Sequence, residues 1–393
     1  MDLADDPGQA RLRRDLRAWL AEHLTGEWRA GYQAGDEGQR IALLRQWQRA
    51  LHQAGFAARS WPGAYGGRDG RLIEELIIFE ELARADAPPD VFRIGVRIIG
   101  PMLMQLARED QKADFLPGMA NGDLLWSQGF SEPSAGSDLA SLTTRADRSN
   151  RGFRINGQKV WNTLGQHADY CLLLARTDPR AVPHKGLTAF AVKLNSPGIR
   201  INPLRQINGR RDFNEIFLDD VEVPEDSVVG EVNGGWAGAM TMLGFERRGV
   251  AVMGFACGRL FGRLLDLAGS VRLRETGAPA IDHPPLRDRL AALGVQARIA
   301  VLNNYRFAAM VPEGGVPGPE GSIQKLHSTE LNKAMHDFAF EIMKGADLNE
   351  SAARDLFDFW GEEYVTSIGM TIAGGTAQIQ RTTIGERALG LPR

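Results

Sequence analysis

Several stretches of this sequence combine residue types that can hold or transform a small molecule. The run Ser131-Glu132-Pro133-Ser134-Ala135-Gly136-Ser137-Asp138 is rich in hydroxyls and uncluttered backbone amides, which suit an anion or the polar edge of a ring. Taken alone, such a run reads as a plain surface turn. In Lys159-Val160-Trp161-Asn162-Thr163 one large aromatic stands among polar residues, and a lone Trp in a strand is most simply a buried one. Glu246 follows Met240, Met242, Leu243 and Phe245 and precedes Val250. A carboxyl held among apolar side chains has its pKa raised toward the working range of a base. Most helix glutamates are instead solvated or paired with a neighbouring arginine, and Arg247 and Arg248 follow directly. The seven histidines include no pair at metal-ligand spacing, so no metal is expected. Neither Cys171 nor Cys257 has the basic surroundings that activate a thiol.

The elements that must position these residues fall into three textures. From Arg11 to Met119 apolar residues recur at helical spacing, as in Leu12, Leu16, Trp19 and Leu20, then Leu43, Leu44, Trp47 and Leu51. Gly55 to Gly70, with Trp61-Pro62-Gly63 and Tyr65-Gly66-Gly67, interrupts them as a loop. After Asn121-Gly122-Asp123 come short alternating runs at 153–157, 170–175, 188–192 and 215–218. With no room for an ordinary helix between Asp123 and Glu231, the strands should pair antiparallel in a barrel or sandwich. From Trp236 to Phe359 the helical period returns, broken by a Pro- and Gly-rich loop at 311–321. Small residues crowd one helix across Leu243 to Gly262, a signal of close helix approach. The expected division is 1–122 helical, 123–231 β and 232–393 a helical bundle, an α+β multi-domain chain.

Bulk properties narrow the classes of function. A chain of 393 residues is too long for one simple core. With 43% hydrophobic and 24% charged residues it is neither disordered nor fibrous. A net charge of -3 offers no footprint for nucleic acid. The apolar stretches are broken by charge well short of a membrane span of about 20 residues. Two cysteines suit a reducing cytoplasm, and the acidic, polar opening is not that of a secretory signal.

Four stretches taken together resemble the acyl-CoA dehydrogenase family: Gln128-Gly129-Phe130-Ser131-Glu132-Pro133, Lys159 to Thr163, Phe213 to Pro224, and Gly374-Gly375-Thr376-Ala377-Gln378-Ile379-Gln380-Arg381. The resemblance runs from Trp61-Pro62 to the last residues. It implies an N-terminal helical domain, a middle antiparallel β-barrel domain and a C-terminal four-helix bundle. It implies FAD as cofactor, with Gln128, Phe130 and Ser131 on the flavin ring, Trp161 and Thr163 closing its other side, and Thr376 and Gln378 also binding it. Ser137 would contact the CoA portion. The thioester carbonyl would lie between a flavin ribityl hydroxyl and a backbone amide at Gly374-Gly375-Thr376.

At two places the sequence departs from the common pattern. Many members carry the catalytic glutamate where this chain has Gly374, which has no side chain to take a proton. A minority take it from the first long helix of the C-terminal domain, before an arginine. Phe245-Glu246-Arg247-Arg248 stands at that point, which makes Glu246 the expected base and Arg247 or Arg248 the residue beside the substrate. The second departure concerns the adenosine half of FAD. Homotetrameric members grip it through an Arg-x-x-Phe-Gly and a Gln-x-x-Gly-Gly-x-Gly stretch, where this chain has Leu273-Arg274-Glu275-Thr276-Gly277 and Glu341 to Asp347. Arg272 or Arg274 could reach the pyrophosphate, or a non-identical subunit could supply the grip. The implied reaction makes a 2,3-enoyl-CoA from a branched, cyclic or steroid-derived acyl-CoA and passes electrons to an electron-transfer flavoprotein. The implied assembly is a homotetramer or an α2β2 heterotetramer. A non-catalytic partner subunit and a flavin oxidase or monooxygenase remain as alternatives.

Overall fold

In the computed structural model, residues 4–250, 252–311, 318–347 and 349–392 are described, without the side chains of 247–250 and 350–353. The chain forms two compact units: Met1–Ile78 with Ala87–Glu246, and Phe79–Asp86 with Arg247–Arg393.

The first unit opens with helices α1 (Pro7–His23), α2 (Gly26–Ala34), α3 (Glu37–Gln53), α4 (Leu72–Arg84, whose last turns belong to the second unit), α5 (Gly100–Leu106) and α6 (Glu109–Ala120). Local chemistry sets their starts. Asp6 and Asp36 side chains accept the amides of Gln9 and Gln39, whose side-chain oxygens accept the cap amides in return. Where the helical period continues into 94–99, the backbone widens into a π-helical turn, Ile94–Ile99, a form frequent at functional sites.

Eight strands follow: β1 (Trp126–Gly129), β2 (Arg145–Ser149), β3 (Gly152–Thr163), β4 (Tyr170–Arg176), β5 (Leu187–Lys193), β6 (Ile199–Leu204), β7 (Phe213–Val223) and β8 (Val228–Val229). Their order is β6-β7-β3-β2-β4-β5-β8, with β1 on β4. Pairing is antiparallel except that β1 and β2 run parallel to β4. The long excursion through 130–144 lets the chain return in the same direction, which a tight hairpin forbids. Along β4 the two-residue period serves two cores. Leu172 and Leu174 face the helical layer with Trp126, Ile98, Ile99 and Met102, while Cys171, Leu173 and Ala175 join Phe153, Phe190 and Val192 on the other face. Helix α7 (Gly235–Val250) adds Met242 and Phe245 to the first of these cores.

In the second unit, α8 (Met253–Ser270), α9 (Pro284–Met310), α10 (Glu320–Gly345) and α11 (Glu350–Met370) form the four-helix bundle, followed by α12 (Ala377–Thr383). The single helix expected across Leu243 to Gly262 is two, since α7 ends at Val250 and α8 begins at Met253. The close approach signalled by the small residues is realised on α8. A Cβ on Gly254 would lie 2.2 Å from the Ala300 carbonyl oxygen, and one on Gly258 would lie 3.2 Å from Val301. Among the described residues no helix is long and apolar enough to cross a membrane.

Candidate active site

The chain leaving β1 is held in place by side chains from β3. Asn162 Nδ2 donates to the Gln128 carbonyl at 2.6 Å, Lys159 Nζ to the Phe130 carbonyl at 3.1 Å, and the Val160 amide to the Ser131 carbonyl at 2.9 Å. The same ammonium donates to Glu132 at 2.8 Å. Glu132 in turn accepts the amides of Thr143 (2.7 Å) and Thr144 (2.8 Å) and the Thr143 hydroxyl (2.8 Å). Asn162 and Lys159 are fully buried and Glu132 nearly so. A buried charge is tolerated only when paired and hydrogen-bonded, and here both conditions are met.

Desolvation raises the Glu132 carboxyl, but the Lys159 charge and the convergent donors outweigh it and hold the group at about 2. Desolvation lowers the Lys159 ammonium against the pull of Glu132, to about 8. A carboxyl depressed on folding contributes stability that is complete above its ordinary value of 4.5 and is lost as pH falls toward about 2. Thermal melts from about pH 6 down to about pH 3 should therefore show a loss of stability that Glu132→Gln flattens. An unchanged slope in that variant would contradict the assignment.

Trp161 stands out of this framework because of a β-bulge. The β3–β7 register slips between Val160 and Asn162, leaving Trp161 unpaired at φ 65°, a region rare for bulky side chains. The bulge breaks the in–out alternation, so Asn162 is buried while the Trp161 ring is 61% exposed, edge-on to Phe213 at 6.0 Å. A lone strand Trp is most simply buried, whereas Trp161 is exposed because the bulge turns its ring outward, and backbone strain of this kind is concentrated at ligand sites. The hydroxyls of Ser131 and Thr163 engage no partner among the described residues. An open aromatic face beside two free hydroxyls fits a planar ring with a polar edge, such as a flavin. Trp161→Gly should leave the melting temperature unchanged or slightly higher, since Gly accepts positive φ without strain, while flavin content falls. A variant that keeps its flavin would exclude the ring as a wall of the site. Ser137 lies on the exposed part of the 133–138 loop.

Glu246 sits near the end of α7, half-buried, directly after the buried Phe245. The sequence did not single out its electrostatic neighbour, Arg93. Desolvation lowers the Arg93 guanidinium first, while Asp90 and Glu246 pull it back up. Asp90 is engaged by Arg97 at 2.5 Å, and Arg93 makes no hydrogen bond or ion pair among the described residues. By surface area Arg93 is exposed. It immediately precedes the π-helical turn, whose Gly95 faces Trp126 on β1. The side chains of Arg247 and Arg248 lie outside the described residues.

In the second unit, Gly374 and Gly375 take positive φ (66° and 93°), and Thr376 caps α12 by accepting the Ile379 amide at 3.2 Å. Gln378 is exposed. Arg272 donates to the Gly277 carbonyl (2.9 Å) and so holds its own loop, while Arg274 donates to the Ala346 carbonyl (2.7 Å) and ties that loop to the end of α10. Cys171 and Cys257 are buried, and desolvation pushes both thiols up to about 12.

Comparison with known proteins agrees with this geometry. Family models for acyl-CoA dehydrogenase match along the chain: the N-terminal domain at residues 6–123, the middle domain at 127–221 and the C-terminal domain at 233–389. The acyl-CoA dehydrogenase IpdE1 of Mycobacterium tuberculosis is 36% identical over 387 residues, 97% of each chain. Two solved structures superpose over the full length of both chains at 31% identity: the ChsE4-ChsE5 complex from Mycobacterium tuberculosis (TM-score 0.84) and the Tcur3481-Tcur3483 steroid acyl-CoA dehydrogenase (TM-score 0.85). With all three domain models matched in order and a relative 36% identical over 97% of the chain, the chain belongs to the acyl-CoA dehydrogenase family of oxidoreductases.

Proposed function

We propose that this chain is a catalytic subunit that converts an acyl-CoA thioester to its 2,3-enoyl-CoA with FAD bound, in the cytoplasm. Glu246 takes the α-proton. The peptide amides of the Gly374–Thr376 loop donate to the thioester carbonyl oxygen and stabilise the charge that develops there. Bound FAD supplies the acceptor for the hydride leaving the β-carbon. Trp161, Thr163, Gln128, Phe130 and Ser131 hold the ring and exclude water from it, Thr376 and Gln378 add to that hold, and Ser137 meets the CoA moiety.

The observation that carries this reading is Glu246 itself: a half-buried carboxyl on α7, within the field of an arginine that makes no hydrogen bond or ion pair among the described residues, in a chain whose Gly374 has no side chain to act as base. An inert partner subunit has no need of such a group. The acyl group we propose is bulky, branched, cyclic or steroid-derived. The relative described as a steroid acyl-CoA dehydrogenase supports it, and so does the Arg93 guanidinium, which has no hydrogen-bond partner among the described residues and which a polar oxygen on such a skeleton could meet. Electrons pass on to an electron-transfer flavoprotein.

An assembly with a related but non-identical subunit is favoured over a homotetramer by a specific observation. Arg272 and Arg274 are engaged by backbone carbonyls, which weakens the case for either as a grip on the FAD pyrophosphate. Both similar structures named above pair two differently named chains. Purification alone and with a candidate partner chain, followed by flavin spectra and acyl-CoA-driven bleaching, tests the whole reading. Bleaching that Glu246→Gln abolishes is expected. A protein that gains flavin but never bleaches would mark an inert partner, and fast reoxidation by air would mark an oxidase.

A further inference from the structure

Lys325 lies on α10, is 2% exposed, and carries no role in the reading above. Its ammonium donates to the Gly375 carbonyl at 2.8 Å and to the Thr371 carbonyl at 3.1 Å. Gln380 on α12 donates to the same Gly375 carbonyl at 3.2 Å and to that of Gly374 at 2.9 Å. The Thr371 carbonyl also receives the Ala377 amide at 3.0 Å, so Lys325 ties together both ends of the 371–377 loop. Gly375 is locked into this arrangement, because a Cβ there would lie 2.7 Å from the Gln380 amide nitrogen.

In a trans peptide the N–H points opposite to the C=O. With the Gly374 and Gly375 carbonyls drawn toward Lys325 and Gln380, the amides of Gly375 and Thr376 are turned the other way. Those two amides, and that of Gly374, donate to no acceptor among the described residues. Successive free amides in a left-handed segment form a concave donor site for a negative oxygen. A cation on the carbonyl side polarises the next N–H, and in a buried setting such bonds reinforce one another.

We propose that Lys325, seconded by Gln380, is a positioning residue that aims and polarises the Gly374–Thr376 amides at the thioester oxygen as it gains negative charge. This rests on the dehydrogenase reading and adds a residue to it. Lys325 touches no reacting atom, and its effect falls on the enolate-like state more than on the neutral thioester.

Acetoacetyl-CoA is the probe. Its C2 proton passes to solvent base as pH rises, and the electron pair of the C–H bond moves onto the carbonyl oxygens, giving an enolate with its own near-ultraviolet absorbance. The flavin-loaded assembly is titrated with pH, with the probe bound, for wild type, Lys325→Met, Lys325→Gln and Gln380→Met. Wild type should lower the probe's apparent enolisation pKa. The variants should raise it by about one unit or more, with kcat falling and KM for the acyl-CoA nearly constant. Lys325→Arg should restore part of the shift. A folded, flavin-containing variant at Lys325 with the wild-type enolisation pKa and kcat overturns the proposal. If Lys325→Met does not fold, the milder Lys325→Gln and Gln380→Met decide it on the same readout. Wild type that leaves the probe's pKa at its free value sinks the dehydrogenase reading and this inference together, whereas equal lowering in wild type and variants sinks this inference alone.

Discussion

Glu246→Gln should lower turnover about 10²- to 10⁴-fold, the range for loss of a well-placed general base. Flavin content, melting temperature and KM should stay near wild type. Gln keeps the shape and hydrogen-bonding reach of the side chain and loses only its capacity to take a proton. The half-buried place of Glu246 at the end of α7, next to the buried Phe245, means that the isosteric change removes little packing. Arg93 enters the same expectation, because it and Glu246 lie within each other's field. Arg93→Met should shift the pH dependence of kcat/KM upward, since losing a nearby cation makes a carboxylate easier to protonate. Turnover within about tenfold of wild type in Glu246→Gln would move the base elsewhere.

Glu132→Leu is expected to destabilise the chain by about 3–5 kcal/mol, the cost of breaking a buried ion pair from one side. It leaves the Lys159 ammonium buried with only the Phe130 carbonyl among its described partners, and it orphans the Thr143 and Thr144 amides. Lys159→Met should cost a similar amount. The double variant Glu132→Leu, Lys159→Met should regain much of that stability, because apolar residues of similar volume replace such pairs at little cost. Flavin affinity should not return with it, since the Phe130 and Glu132 anchors that shape the loop are gone. Denaturant unfolding of the four proteins as a double-mutant cycle, read beside flavin content, separates the two effects. Strictly additive losses would mean that the two charges are not coupled.

Much of the fold was legible because it is local. Leu12, Leu16 and Leu20 repeat at helical spacing and are the buried residues of α1. The runs at 153–157, 170–175, 188–192 and 215–218 are strands. The features that went unread depend on partners distant in sequence. Parallel pairing of β1 with β4 joins Trp126 to Tyr170. The bulge that exposes Trp161 exists only against the register of β7. Lys159 and Glu132 are 27 residues apart, and Lys325 and Gly375 are 50 apart. One signal was available in principle: Lys159 falls on the same alternation as the buried Phe153 and Ile155, and a polar residue at a buried strand position needs a partner. The proposed base was a matter of combination. Neither the apolar neighbours of Glu246 nor the glycine at 374 suffices alone, and the family resemblance was needed to connect two positions so far apart.

The central claim, that this chain itself performs the dehydrogenation with Glu246 as base, is tested most directly by a single anaerobic turnover. The flavin-loaded assembly is mixed with a bulky acyl-CoA, flavin absorbance is followed, and the quenched mixture is assayed for enoyl-CoA. We expect bleaching with one enoyl-CoA formed per flavin in wild type, and neither in Glu246→Gln. Bleaching at the wild-type rate in Glu246→Gln, with enoyl-CoA formed, would contradict the account.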